Sequence, residues 1–168
     1  MQPEYIEPRI DMLQPDSEQV ATEALNAFKA GYHCAESVSL AVVRHFGDPD
    51  FSPRIATAFG AGIGRTMTEL CGAFTGGVIA IGVLFGRDNP GDPLWKDQVA
   101  PLTAQWRELF LQEFKTLSCP TLLVRFGEQD DFMDCKSLAS RAAGLLAELI
   151  VSHQDNSGKY EPQGNTHA

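Results

Sequence analysis

The sequence predicts an all-α protein, a single-domain bundle of about six or seven helices with no significant sheet. Apolar residues recur at three- and four-residue spacing, capping residues precede these stretches, and glycines follow them. The β-like runs VVRHF and TLLVRF both lie inside helical patterns. The 168 residues suit one domain, predicted at residues 16–151, between an N-terminal tail (1–15) and a polar, disordered C-terminal tail (152–168).

The first two helices have clear start and stop signals. Asp16 or Ser17 can cap a helix that runs to about Ala30, and Gly31 stops it. A second helix is predicted over residues 34–46, which are apolar through most of their length and are followed by another glycine.

The third and fourth helices flank a glycine-rich segment. Ser52-Pro53 places a cap before a proline and starts a short third helix, which ends in GAGIGR (60–65). Thr68 is predicted to cap the fourth and most apolar helix, residues 69 to about 85. Its glycines and alanines would let another helix approach closely, in the same chain or in a second copy in a homo-oligomer. Because its apolar stretch is short and rich in glycine, we predict a buried central helix rather than a membrane span.

The fifth helix is predicted to be long, because its apolar stripe extends over many residues. Asp92-Pro93 opens it, and Pro101 could kink it. The stripe consists of Leu94, Trp95, Val99, Leu102, Trp106, Leu109, Phe110, Phe114 and Leu117.

The last two helices each begin at a cysteine. Ser118 is predicted to cap a short sixth helix that starts with Cys119-Pro120 and ends near residue 126. Asp134 is predicted to cap the seventh helix, which runs from Cys135 to about residue 151.

The chain is acidic, with 22 Asp and Glu residues against 13 Lys and Arg and a formal net charge of -9. Such a protein repels phosphate backbones, so no nucleic-acid partner is expected. The N-terminal stretch MQPEYIEPRIDMLQP lacks the basic and apolar regions of a signal peptide. We therefore expect a cytoplasmic protein in a reducing compartment.

Four cysteines are the candidate functional residues, and all of them begin predicted helices: Cys34, Cys71, Cys119 and Cys135. A helix N-terminus carries partial positive charge and free N–H groups, so we expect it to favour the thiolate. No CxxC is present, so the zinc-ribbon, thioredoxin and ferredoxin signatures are absent. Alternate helices of an up-and-down bundle start at the same end, so the thiols are predicted to converge at one pole. There they could act as redox thiols or as metal ligands.

Polar residues beside the cysteines are interpreted as supporting groups. His33 is interpreted as an exposed loop residue, with a proton partner or an extra ligand as the alternative. Acidic side chains near the helix starts are predicted to act through the macrodipole; these are Glu36, Glu69 and Asp134. GAGIGR follows a helix rather than a strand, so we interpret it as a flexible turn and not as a dinucleotide-binding loop. Arg65 in this segment could still face an anionic ligand.

Several stretches resemble one known family. HCAESVSLAV, IATAFGAGIGRTMTELCGAFTGGVIAIGVLFGR, FKTLSCPTLL and the final cysteine before a helix resemble the bacterial and archaeal family named for its cysteine pattern, C_GCAxxG_C_C. The likeness spans about residues 20–150. The family's four cysteines are matched in order by Cys34, Cys71, Cys119 and Cys135, although Leu70 stands where the family name places glycine.

The resemblance implies a redox-active protein. A similar module in split-Soret-type cytochromes is associated with an iron–sulfur cluster. The CxxCH attachment motif for haem is missing from this chain, so no haem is expected.

Three functions remain open on the sequence. The first is a redox-active protein that uses its four-cysteine site for thiol–disulfide or electron transfer, either as an oxidoreductase or as an electron-transfer accessory protein with an unknown redox partner protein. The second is a four-cysteine metal site, in which the same residues hold zinc or an iron–sulfur cluster. The third is a non-catalytic helical interaction module with inert cysteines.

Overall fold

The computed structural model describes residues 17–93 and 95–157, and this part of the chain is all-α, as predicted. The α-helices are α1 (Ser17–Lys29), α2 (Cys34–Phe46), α3 (Gly72–Phe85), α4 (Ala100–Phe114), α5 (Cys119–Phe126) and α6 (Met133–Ser157). A 3₁₀ helix, Pro53–Phe59, follows α2, and a π-helical segment, Trp95–Val99, leads into α4. Four of the sequence predictions lie outside the described residues: the tail 1–15, the cap Asp16, Leu94 and residues 158–168 of the C-terminal tail.

Helix α2 forms the centre of the bundle. Every residue from Ala35 to Val43 is buried, polar ones included, because α1, α3, α6 and the 3₁₀ helix all pack against it. Helix α3 is largely buried too, as its composition predicts, but Val83 is exposed. The most apolar helix is therefore buried without being the central one.

Small residues on α3 make the close helix contacts that the sequence predicts, and they make them within the chain. A Cβ added at Gly76 would lie 2.5 Å from the carbonyl oxygen of Ala35, and one at Gly77 would lie 2.5 Å from Trp106 Nε1. Trp106 is fully buried on α4, and its indole N–H donates to the carbonyl of Phe74 at 3.1 Å. Gly76 thus allows α3 to pack on α2, and Gly77 allows it to pack on α4.

Helix α3 begins three residues later than predicted, so Thr68 is not its cap. The reason is a nonlocal contact, since Leu70 pairs with Ser118 across an isolated antiparallel bridge. That pairing holds the chain extended until Cys71, which takes the N-cap position of α3. Glu69 consequently lies outside the helix and cannot act at its start, contrary to the prediction.

The predicted fifth helix differs from the expectation at both ends: its first part, Trp95–Val99, is π-helical, and its α-helical part ends early. The change from π-helical to α-helical geometry falls beside Pro101, which has no N–H to continue a regular ladder. Helix α4 ends at Phe114 because Lys115 adopts a left-handed conformation, and this end lies three residues before Leu117, the last residue of the predicted stripe.

Helix α6 is longer than the sequence predicts at both ends. It begins at Met133, so Asp134 lies inside the first turn instead of capping the helix. It runs to Ser157, through the first residues of the predicted C-terminal tail. None of the helices in residues 17–93 and 95–157 has both the length and the apolar character needed to cross a membrane.

Candidate thiol site

The four cysteines line one cavity, so the predicted convergence at one pole is observed. Its volume is about 70 Å³, and most of its wall is apolar. The larger apolar residues of that wall are Phe28, Met67, Leu122, Leu123, Phe126, Phe132 and Leu138. All four cysteines are free thiols; Cys71 and Cys119 are buried, and Cys34 and Cys135 are half-buried.

Each cysteine stands at or near a helix start, as the sequence indicates. Cys34 and Cys119 are the first residues of α2 and α5, and Cys71 is the N-cap of α3. Cys135 lies in the first turn of α6. The predicted cap of α5 is confirmed, because the Ser118 hydroxyl accepts a hydrogen bond from the N–H of Thr121 at 3.4 Å.

The antiparallel bridge fixes two of these cysteines relative to each other. The N–H of Cys71 donates to the carbonyl of Leu117 at 2.7 Å, and the N–H of Cys119 donates to the carbonyl of Glu69 at 2.9 Å. Successive side chains project to opposite sides of a bridged pair, so the side chains of Cys71 and Cys119 project to the side opposite that of Leu70. Leu70 is 41% exposed, whereas both thiols are buried.

Cys34 has the most backbone N–H groups around its sulfur. Those of Ala35, Gly72 and Ala61, with its own, all favour its thiolate and lower its pKa. The absence of a side chain at Gly72 is what admits this sulfur, because a Cβ there would overlap Cys34 Sγ. Two helix starts and one loop therefore meet at a single sulfur atom.

Burial nevertheless raises the pKa of all four thiols, which contradicts the expectation of stabilised thiolates. The pKa of Cys119 rises to about 11, that of Cys71 rises well above its usual range, and those of Cys34 and Cys135 also rise. A helix terminus contributes about 0.3–1 kcal/mol, less than one pKa unit, whereas burial can shift a pKa by up to about 3–5 units. The thiols are therefore held protonated at neutral pH.

Mutual repulsion singles out Cys34 among the four. A charge on Cys34 raises the pKa of Cys71, of Cys119 and of Cys135, after the larger contribution from burial in each case. The pKa of Cys34 is raised by burial alone and lowered by its N–H neighbours. Cys34 is thus the thiol whose charge acts on all three others and the one best placed to ionise first.

Stability is expected to fall as the pH rises above about 9. The pKa of Cys119 is about 11 in the folded protein against an ordinary value near 9, so the folded state retains a proton that the unfolded chain releases between these values. Because the folded state then binds more protons, its stability decreases with pH. Cys119→Ser should reduce the loss in free energy of unfolding between pH 8 and pH 10.5 by about 1 kcal/mol, after allowance for screening by water. Urea unfolding at the two pH values measures this loss. Equal pH slopes in the two proteins would refute this assignment.

Gln129 is a site residue that the sequence reasoning missed. Its side-chain carbonyl accepts from the N–H of Cys135 at 3.1 Å, and its amide nitrogen donates to Cys135 Sγ at 3.7 Å. One side chain therefore caps the start of α6 and contacts its thiol, and the second contact lowers the pKa of Cys135 against the effect of burial. A loop glutamine six residues before a cysteine matches no capping signature, so the sequence offered little signal.

Gln129→Leu is expected to slow alkylation of Cys135 at pH 8 by up to about tenfold. The substitution removes the donor to sulfur, and one pKa unit corresponds to a tenfold change in thiolate. Iodoacetamide labelling over a range of pH, read out on the Cys135 peptide, measures the shift. Gln112→Leu on the exposed face of α4 is the control. An unchanged pH profile for Gln129→Leu would show that the contact to sulfur has no effect.

Left-handed backbone is concentrated around the cavity. The described non-glycine residues with positive φ are Ala61, Ile63, Arg65, Met67, Lys115, Asp131 and Phe132. All of them except Lys115, which lies at the end of α4, belong to the two loops beside the cavity. Each such residue costs about 1–2 kcal/mol, and strain of this kind tends to accumulate at functional sites. The segment interpreted as a flexible turn is instead held by hydrogen bonds, Gly64 N–H to Ala58 at 2.7 Å and Met67 N–H to Ala61 at 2.9 Å.

The polar neighbours of the cysteines differ in their roles. The carboxylate of Glu36 accepts from the N–H of His33 at 2.9 Å and from the hydroxyl of Thr57 at 2.7 Å, so it supports the start of α2 as predicted. His33 is half-buried and lines the cavity, whereas the sequence suggested an exposed loop position. Asp134 lies in the first turn of α6 and contributes to the raised pKa of Cys135.

The arrangement does not match a preformed metal centre. Within residues 17–93 and 95–157, no three His, Cys, Asp or Glu side chains are grouped so that they could hold a metal ion. The donor chemistry of four thiols suits zinc or an iron–sulfur cluster, but their placement in this structure does not fit either group. The arrangement does bring four thiols into one another's electrostatic field in a largely apolar cavity.

One comparison with known proteins gives a match. A family-level sequence model described as "Putative redox-active protein (C_GCAxxG_C_C)" matches residues 32–149, which is more than half of the chain and includes all four cysteines. No curated protein and no solved structure matches the chain.

Proposed function

The chain belongs to the C_GCAxxG_C_C family, and from this premise we propose that its four cysteines form a thiol–disulfide redox site. In this proposal Cys34 is the attacking thiol and Cys71 is the thiol that resolves the intermediate. Cys119 and Cys135 complete the site. The observation that carries the proposal is the presence of all four thiols on one small cavity.

The roles of Cys34 and Cys71 follow from exposure and contact. Cys34 is half-buried, so a reactant from outside can reach it more easily than the buried Cys71, and its N–H neighbours offset part of the rise in pKa that burial causes. Cys71 is buried and precedes Gly72, the residue against which Cys34 Sγ lies. A reactive thiol needs access and thiolate character, whereas a resolving thiol needs only to reach the sulfur of the first.

The exchange would proceed in two balanced steps. The Cys34 thiolate attacks one sulfur of an organic disulfide RSSR, forms a mixed disulfide with one RS group and releases the other as RS⁻. Cys71 loses its proton and attacks Cys34 Sγ, which forms the Cys34–Cys71 disulfide and releases the second RS⁻. The protein gives up two electrons, and RSSR is reduced to two thiols. A dithiol donor protein, the unknown redox partner, would run the same steps in reverse.

A second candidate is a four-cysteine metal or iron–sulfur site built from the same residues. The closeness of the four thiols on one cavity favours it, because a bound cation would offset the repulsion among thiolates, although it would have to displace protons that burial holds more tightly than usual. The cysteines would have to move to hold the group, since their present placement does not fit it. In a third candidate, the non-catalytic helical interaction module, the cysteines would be inert.

Anaerobic purification followed by thiol titration, metal analysis and an absorption spectrum tests the proposal. Thiol–disulfide chemistry predicts a colourless protein that loses two thiols to a mild organic disulfide and regains them with a dithiol. Stoichiometric iron with visible absorption, or stoichiometric zinc that protects the thiols, would favour the metal site instead. Four thiols that neither react nor bind metal would leave the inert module.

A further inference from the structure

The charged lining of the thiol cavity has only one sign. Besides the cysteines and apolar residues, two side chains that can carry positive charge, His33 and Arg65, line it, and no carboxylate does so in the described part of the chain. This is unexpected in a protein with a formal net charge of -9. The cavity is therefore a local exception to the charge of the molecule.

Arg65 is available to a ligand. Its guanidinium makes no hydrogen bond or ion pair with any residue in 17–93 or 95–157, and the residue is exposed. Its backbone is fixed, because its N–H donates to the carbonyl of Gly60 at 3.1 Å within the left-handed turn. An unpaired guanidinium on a fixed turn presents a fork that matches the geometry of a carboxylate.

The size of the cavity limits what can enter beside that charge. A volume of about 70 Å³ is enough for about five to seven water molecules at 10–15 Å³ each. It admits the sulfur end of a small molecule and leaves the rest at the mouth. Arg65 lines the cavity and is exposed, so it is a candidate partner for a carboxylate on the part of the molecule that stays outside.

We propose that the site takes small organic disulfides that carry carboxylates, with Arg65 pairing with a carboxylate while the disulfide reaches Cys34. The inference rests on the thiol–disulfide function proposed above and names its substrate class. Arg65 acts as a positioning residue, and the bonds that form and break are those of the exchange already described. Neutral disulfides would react without this help, and cationic ones would be repelled.

Three disulfides of different charge test the proposal on the reduced full chain. Oxidised glutathione is anionic, bis(2-hydroxyethyl) disulfide is neutral and cystamine is cationic. The initial rate of thiol loss is measured anaerobically with each and divided by the rate of the same disulfide with a simple free thiol. Arg65→Gln is expected to lower the relative rate with oxidised glutathione about three- to fivefold, as for a solvent-exposed ion pair. The relative rate with the neutral disulfide should not change, since that molecule has no carboxylate. Arg65→Glu should shift the preference to cystamine.

Arg54→Gln is the matched control, since Arg54 is exposed on the 3₁₀ helix and does not line the cavity. Salt gives a second measurement on the unmodified chain. If Arg65 pairs with the substrate, added salt should slow the reaction with oxidised glutathione. If only the net charge of -9 acts, added salt should speed that reaction. If all three disulfides react and neither Arg65 variant changes the charge preference, the inference is wrong and the redox function stands. If no disulfide oxidises the unmodified protein, the redox function itself is wrong.

Discussion

Replacement of Cys34 with serine is expected to abolish the reversible loss of two thiols on mild oxidation. Cys34 is the one thiol whose charge acts on all three others, and its sulfur meets backbone N–H groups from two helix starts and one loop. Without it, no remaining thiol has this set of N–H donors, and two of the three are buried. Thiol titration before and after treatment with an organic disulfide measures this. The number of free thiols should fall by two in the parent protein and remain constant in the variant.

The matched control for this result is Cys135→Ser. Cys135 is half-buried like Cys34 and lies on the same cavity, but it is not one of the two thiols proposed to form the disulfide. This variant should still lose two thiols and recover them with a dithiol. If Cys34→Ser behaves like the parent while Cys135→Ser fails, the attacking thiol has been assigned to the wrong residue.

Gly76→Ala is expected to destabilise the protein by about 1–3 kcal/mol, the usual cost of overpacking. The new Cβ would lie 2.5 Å from the carbonyl oxygen of Ala35 and 2.9 Å from its Cα, and backbone atoms cannot rotate away as a side chain can. Helices α2 and α3 would have to separate at the point where their first turns carry Cys34 and Gly72. Thermal unfolding should show a midpoint lower by about 2–12 °C, at roughly 2–4 °C per kcal/mol for a chain of this size.

Gly82→Ala provides the control within the same helix. A Cβ at Gly82 meets no atom within 4 Å, so only the gain in helix propensity of about 1 kcal/mol remains. Its unfolding midpoint should rise by a few degrees. If both variants shift the midpoint in the same direction, packing between α2 and α3 does not depend on Gly76 as the structure indicates.

Local signals in the sequence were enough to predict that the helices of residues 17–93 and 95–157 exist, but not where all of them begin and end. The predicted second helix coincides with α2 at both ends, and the glycine predicted to end it lies at its C-cap. The Ser118 cap and the positions of the cysteines near helix starts were also predicted correctly. These features depend on residues within one turn of each other, which is the range over which capping and propensity act.

The features that were missed depend on contacts between distant segments. The start of α3 is set by the pairing of Leu70 with Ser118, which no local pattern encodes. The direction of the thiol pKa shifts was wrong because the helix dipole can be inferred from position, whereas burial depends on the packed structure. Gln129 reaches Cys135 through a loop whose conformation includes left-handed residues at Asp131 and Phe132.

Mass-spectrometric mapping of the oxidised protein tests the central proposal most directly. The reduced chain is treated with one equivalent of a mild organic disulfide without oxygen, the free thiols are alkylated, and the peptides are separated without reduction. We expect one intramolecular disulfide that joins Cys34 to Cys71, with Cys119 and Cys135 alkylated. A disulfide between Cys119 and Cys135, or four alkylated cysteines after full exposure to the oxidant, would contradict it.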